Sequence, residues 1–315
     1  MQPKQLQFPF VPKQGPKAKP FLKWAGGKGQ LLAQIGQHFP PELWEGSLTK
    51  YAEPFIGGGA VFFQIASNFN MHEFFISDMN EDLVLAYRTI SQQVELLIEQ
   101  LQLIERLYRD LDADGRSEFY YDTRLSFNQD RPFVTGGAPE DTAEHVARLI
   151  FLNRTCFNGL YRVNSRGHFN VPHGNYVNPR ICDAANLRSV SRSLQNTEIH
   201  FGDFTACRDF VDENTFVYLD PPYRPISKTA NFNSFYKHPF GDDEQKRLAH
   251  FYQELGDAGA KLMLSNSDPH NENPDDSFFE DLYAGFSIHK VSANRRINSN
   301  GAKRGPITEL LIANY

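Results

Sequence analysis

Cysteine is scarce. The 315-residue chain has three, Cys156, Cys182 and Cys207, odd in number and far apart, with no Cys-x-x-Cys and no His/Cys cluster. That excludes a disulfide scaffold and a structural zinc, and it points to a reducing, cytoplasmic setting without a metal. Long apolar runs are also missing. Nothing resembles a span of about 18 apolar residues, and the N-terminal lysines and prolines enclose no apolar core of a signal peptide, so neither a membrane partner nor export is expected. The ten histidines are scattered and read as surface or core residues. No repeat or low-complexity tract stands out. What is there is globular: 40% hydrophobic and 13% aromatic residues, enough to build a real core in one large domain or two modest ones.

Acidic residues are absent locally although the net charge is −6. Residues 1–41 contain Lys4, Lys13, Lys17, Lys19, Lys23 and Lys28 without one Asp or Glu. Residues 145–182 contain Arg148, Arg154, Arg162, Arg166 and Arg180, and residues 284–308 contain Lys290, Arg295, Arg296, Lys303 and Arg304, again without an acid. These stretches hold 16 of the 32 basic residues. Such segregation is what a footprint for phosphates needs, and it makes duplex DNA compatible with an acidic protein.

Along the chain, residues 1–20 read as a flexible, basic, proline-rich arm. Leu31, Leu32, Ile35 and Phe39 follow a glycine-containing loop at helical spacing. Residues 50–80 then read as strand, glycine turn, helix and second strand, a βαβ unit and hence a parallel sheet. From about Asp82 to Leu111 the apolar spacing predicts one long amphipathic helix, followed by helices near 117–128 and 139–153, the latter opening on Pro139. Leu160-Tyr-Arg-Val163, Asn164-Ser-Arg-Gly167 and His168-Phe-Asn-Val171 predict a β-hairpin. Strands are expected at 197–201, 215–219, 261–264, 286–290 and 307–313. The expected architecture is α/β: a Rossmann-like catalytic domain over 21–85 and 186–315, interrupted over 86–185 by a mostly helical insert with one Arg-bearing hairpin.

Two motifs carry chemistry. Glu53-Pro-Phe-Ile-Gly57-Gly-Gly59 hands a strand to a helix, where nucleotide-like ligands bind in open parallel sheets. Roughly twenty residues on, Asp78 ends the next strand, placed to accept two ribose hydroxyls; a dinucleotide and S-adenosylmethionine fit equally well at this point. Gly26-Gly-Lys28 is not a P-loop, because Gly29 follows the lysine where Ser or Thr is required. The second motif is Asp220-Pro-Pro-Tyr223 after the apolar run Val217-Tyr-Leu219. The lone pair of an adenine N6 is conjugated into its ring. A carboxylate oxygen of Asp220 and a rigid carbonyl of Pro221 could each accept one N–H and draw that nitrogen toward tetrahedral geometry, aiming its lone pair at a sulfonium methyl. Tyr223 could stack on the extruded base.

Taken in order, Phe21-Leu-Lys-Trp24-Ala-Gly-Gly-Lys28, the glycine loop, Asp78-Met-Asn-Glu-Asp-Leu83, Leu152-Asn-Arg-Thr-Cys-Phe-Asn-Gly-Leu-Tyr-Arg-Val163, Phe169-Asn-Val-Pro172, Gly202-Asp-Phe204, Asp220-Pro-Pro-Tyr223 and Asn298-Ser-Asn-Gly301 resemble the Dam-type, alpha-class DNA adenine-N6 methyltransferases over nearly everything after residue 20. The resemblance implies S-adenosylmethionine as methyl donor. It places Trp24, Lys28, Phe55, Gly57, Gly59, Asp78, Asp203, Phe204 and Asp220 around that molecule, with Asp203 and Phe204 at its adenine. The insert is implied to read double-stranded DNA, with Asn158, Leu160 and Arg162 facing bases. Arg154, Arg166, Lys303 and Arg304 are assigned to the same duplex. A GATC target, base flipping, a monomer in solution and, within a restriction system, a companion endonuclease complete the expectation. Rival readings are a non-catalytic DNA-binding protein on a methylase fold, and a methyltransferase acting on an RNA amine or a protein amide. The Asp at 220, where glutamine-modifying relatives carry Asn, and the Arg-rich hairpin favour DNA.

Overall fold

In a computed structural model the structure describes residues 16–130, 142–224, 240–294 and 306–315. Seven strands form one sheet in the order β3-β2-β1-β4-β5-β7-β6. β1 (Lys50–Glu53), β2 (Glu73–Asp78), β3 (Thr197–Phe201), β4 (Thr215–Leu219) and β5 (Lys261–Ser267) are mutually parallel. β7 (Pro306–Ala313) runs antiparallel between β5 and β6 (Ser287–Asn294). The central strand β4 is buried along its whole length, as expected for a parallel strand covered on both faces. From β1 the chain builds outward through β2 and β3, and β4 then starts on the other side of β1. The strand order therefore reverses between β1 and β4, and a crevice opens at the carboxyl ends of such neighbours.

All seven expected strands are present, with ends within a few residues of the sequence reading. The expected long helix is instead two, α4 (Glu81–Gln92) and α5 (Val94–Arg109), parted at Gln93, which leaves helical geometry at φ −133°, ψ 33°. The physical reason lies in burial. In α4, residues 82–87 are all buried, whereas α5 buries only Leu97, Ile98, Leu101 and Tyr108, a single stripe. One straight rod cannot present both patterns to the same neighbours, and the polar run Ser91-Gln92-Gln93 tolerates the break. The side chain of Asn80 caps α4 by accepting from Leu83 N at 3.0 Å, and that of Asp112 caps α6 (Ala113–Gln129) by accepting from Gly115 N at 2.9 Å. α7 spans Ala143–Thr155; the expected start at Pro139 lies outside the described residues. So do most of the basic arm and Lys303, Arg304 and the 298–301 motif.

The hairpin is less regular than expected. Val163 and Phe169 form a single antiparallel bridge, supported by Asn164 N to His168 O at 2.9 Å and Asn170 N to Arg162 O at 3.0 Å, and no strand extends from it. Its inner residues Tyr161 and Phe169 are buried, so packing on the helices holds the loop where ladder bonds do not. The helical insert shares a core with the sheet: Leu97, Leu101, Tyr120, Phe127 and Phe151 belong to the same apolar cluster as Tyr51, Phe62 and Ile76. A second cluster lies with α9 (Asp242–Asp257) and α10 (Phe278–Leu282) around Val217, Leu219, Leu248 and Phe279. Among the described residues no helix is long and apolar enough to cross a membrane.

Candidate active site

β2, β1 and β4 each end on a carboxylate: Asp78, Glu53 and, one residue past β4, Asp220. Parallel neighbours carry these ends to one edge of the sheet, and all three line a cavity of 340 Å³ together with Trp24, Lys28, Phe55, the three glycines 57–59, Pro221 and Tyr223. Its placement is where the reversal of strand order puts a ligand.

The glycine loop forms one side. Gly57 and Gly59 sit at φ 46° and 71°, in the left-handed region that favours glycine. A Cβ on Gly59 would lie 2.6 Å from the Tyr87 hydroxyl, and that hydroxyl donates to Gly57 O at 3.1 Å. Asp78 accepts from Gly57 N at 3.1 Å on one oxygen and from Asn80 N at 2.9 Å on the other. The carboxylate thus fixes both the loop and the start of α4. Glu53 is buried and accepts from the Tyr51 hydroxyl at 2.6 Å; burial pushes its carboxyl well above the usual range.

At the end of β4, Asp220 Oδ1 meets Lys28 Nζ at 2.7 Å and accepts from Ser265 Oγ at 2.9 Å. Oδ2 has no protein partner among the described residues. Lys28 is buried; its ammonium also donates to Gly26 O at 3.1 Å and lies 3.9 Å from Glu309 and 4.7 Å from the centre of the Tyr223 ring. The Tyr223 hydroxyl donates to Glu309. Burial first, and then the Asp220 and Glu309 charges, hold that phenol well above its ordinary pKa, so it stays protonated. Burial likewise raises Glu309. Ser265 and Glu309 escaped the sequence reading. The one available signal was a glutamate immediately before the apolar run Leu310-Leu-Ile-Ala313; for Ser265 there was none, because only the β4–β5 pairing brings it to Asp220.

The remaining expected residues fall into three groups. Asn158 and Leu160 are exposed at the turn after α7, beside Phe157, whose ring is 53% exposed and was also missed. Arg162 and Arg166 are exposed on the hairpin loop, with Arg162 Nε donating to Asn170 Oδ1 at 2.7 Å. Arg154 turns inward: its guanidinium donates to Phe21 O at 2.7 Å, and burial lowers its pKa. It serves as a tether between α7 and the segment leading to Trp24. Asp203 and Phe204 lie outside the cavity lining. Phe204 packs behind Phe55 at 5.5 Å, and Asp203 is held by both arms of Arg247 at 3.0 and 2.6 Å. For Asp203, burial opposes ionisation, but the bonds from Arg247 and Thr205 outweigh it and keep the pKa low.

The cavity suits a ligand with a nucleoside part and a cationic part. Glycines leave room along the loop, Phe55 offers an apolar face, and the carboxylates of Asp78 and Asp220 outnumber the ammonium of Lys28. S-adenosylmethionine, with a ribose, a sulfonium and an ammonium, fits that donor and charge set. Among the described residues no group of three or more His, Cys, Asp or Glu is arranged to hold a metal.

Residues 24–297 match the sequence model of the D12 class N6 adenine-specific DNA methyltransferase family. The chain is 50% identical over 300 residues to the type II methyltransferase M.MjaIII of Methanocaldococcus jannaschii, covering 95% of this chain and 100% of that protein. It is 39% identical to the type II methyltransferase M1.LlaDCHI of Lactococcus lactis subsp. cremoris, over 94% and 95% of the two chains. Against the DNA adenine methylase of Escherichia coli strain K12 it is 31% identical, over 94% and 95%.

Proposed function

The chain belongs to the D12 class N6 adenine-specific DNA methyltransferases, and from that premise we propose that it methylates the adenine of GATC in duplex DNA, using S-adenosylmethionine and a flipped base. The observation that carries the reading is the Asp220 carboxylate. Two protein partners hold it on Oδ1 at the mouth of a strand end, with Oδ2 left to accept an N–H.

S-adenosylmethionine supplies an electrophilic methyl on a sulfonium. The protein's own part is positioning. Asp78 holds the ribose and the glycine loop, while Trp24, Phe55 and Lys28 enclose the rest. Asp220 Oδ2 and the carbonyl of Pro221 would accept hydrogen bonds from the two N6–H groups and orient the lone pair of the amine. The N–CH3 bond would form as the S–CH3 bond breaks to leave S-adenosylhomocysteine, with one N6 proton then lost to water, so no covalent nucleophile from the chain is needed. Tyr223, fixed through its hydroxyl by Glu309 and faced by Lys28, presents its ring to the extruded adenine. Asn158, Leu160 and Arg162 read base edges, an Arg being suited to a guanine; Arg166 adds charge beside them. Phe157 offers a stacking surface where a base leaves the duplex.

The decisive experiment expresses the chain in a methylase-free host and sequences the DNA by a single-molecule method that detects N6-methyladenine. Modification at GATC is expected. Modification at another sequence would overturn the target assignment alone. No modification in cells, together with no tritiated methyl transferred to duplex DNA by the purified protein, would overturn the catalytic reading.

A further inference from the structure

The wall of the cavity that carries Trp24 and Lys28 is fastened to the segment assigned to reading bases. Asn153, on α7 and buried, uses its whole amide for this: Oδ1 accepts from Lys23 N at 2.8 Å, while Nδ2 donates to Lys23 O at 2.9 Å and to Gly159 O at 3.2 Å. A Cβ on Gly159 would fall 2.1 Å from Lys23 Cδ, so the Lys23 side chain lies directly against the Gly159 backbone. Between the exposed Leu160 and Arg162 lies the buried Tyr161, the alternation expected of extended chain. Its ring stacks on Trp24, with centroids 5.2 Å apart and planes 28° apart. Its hydroxyl donates to Asp82, on the first turn of α4 and four residues beyond Asp78. Trp24 in turn lies on the glycine loop, where a Cβ on Gly57 would come within 3.2 Å of its indole.

Outward residues of one short segment therefore meet DNA, and the inward residue between them meets the cofactor wall. Arg162 directly follows Tyr161 in the segment, and the Tyr161 ring packs on Trp24. We propose that Asn153 and Tyr161 are positioning residues that join the two binding sites, so that target duplex and cofactor bind with positive cooperativity. This rests on the function proposed above. Coupling of this kind is reciprocal: duplex tightens the cofactor by the same factor as the cofactor tightens duplex.

The test uses S-adenosylhomocysteine, which binds without turnover. Its affinity is measured by calorimetry for the full chain alone, with a GATC duplex and with a random duplex. The wild type should bind it about tenfold more tightly with the target than alone, and much less so with the random duplex. Tyr161→Phe keeps the ring stack and should keep most of that factor. Tyr161→Leu and Asn153→Ser should bring it below about twofold, in proteins whose circular dichroism matches the wild type. A factor that survives in Tyr161→Leu would mean that the residue is merely structural, and the inference fails; this variant decides alone if Asn153→Ser does not fold. A wild type that methylates DNA yet shows no coupling sinks the inference and leaves the proposed function intact. A wild type that binds neither molecule overturns the function itself.

Discussion

A single lysine organises the charged groups around Asp220. With its ammonium buried, Lys28 depends on Asp220, Gly26 O and the more distant Glu309. Asp220→Ala removes the N–H acceptor and the closest counter-charge together. Methyl transfer should fall by on the order of 100-fold or more. Stability should fall by on the order of 3 kcal/mol, because a buried ammonium is left under-compensated. Asp220→Asn keeps one neutral acceptor and should be milder in both respects. Single-turnover transfer and urea melts separate the two losses, and a fully active Asp220→Ala enzyme would refute the mechanism. Base extrusion should persist in either variant, read as a fluorescence rise with 2-aminopurine at the target position. At Asp78 the expected loss is of cofactor affinity. Asp78→Ala deprives Gly57 N and Asn80 N of their acceptor and the ribose of its proposed partner. Calorimetry should show a loss of a few kcal/mol; unchanged affinity would remove Asp78 from the cofactor site.

Among the elements, the hairpin loop and the β5–β7 pair have separable roles. Arg162 is exposed, and among the described residues its side chain hydrogen-bonds to Asn170 alone. Arg162→Ala should therefore leave stability unchanged and cost roughly 1–3 kcal/mol of discrimination between GATC and variant sites. Equal losses on target and random duplex would make it a phosphate contact. At the end of β5, the buried Asp268 accepts from Thr308 at 2.7 Å and pairs with Lys290 at 3.0 Å and His270 at 2.8 Å, tying β5 to β6 and β7. Burial works against its ionised form, but these partners outweigh that and hold the carboxyl at about 2. A carboxyl whose folded pKa lies below its unfolded value, about 4, contributes stability above that pH and loses it as pH falls toward 2. Asp268→Asn should cost on the order of 2 kcal/mol at neutral pH, and the variant's urea midpoint should fall less steeply with acid than the wild type's. Parallel acid limbs would show that the carboxylate contributes nothing.

For the molecule as a whole, one shared core joins the insert to the sheet, so a ligand at the strand ends should stabilise the entire fold. At a concentration of S-adenosylmethionine about 100 times its Kd, mass action adds about 2.7 kcal/mol and should raise Tm by roughly 5 °C. The same concentration should barely move Asp78→Ala. A duplex should bind despite the net charge of −6, with an affinity that falls linearly in log–log salt titration, because segregated cations release counterions whatever the overall charge.

Fold class, the seven strands, the glycine loop, Asp78 and Asp220-Pro-Pro-Tyr223 were legible in the sequence. Each is a local signal: apolar runs of strand length, glycines where the backbone is left-handed, and an acid closing a strand. The sequence was misleading where burial decided. An unbroken apolar period over 82–111 hid the break at Gln93, since periodicity records which residues are apolar and not which neighbours cover them. Arg154 carried the same formal charge as Arg162, yet one faces Phe21 O and the other solvent. Ser265, Glu309 and Asn153 acquired their partners only when strands and segments distant in the chain were set side by side. Contacts between residues 45 to 130 positions apart leave no period to read, and only the tertiary structure could choose them.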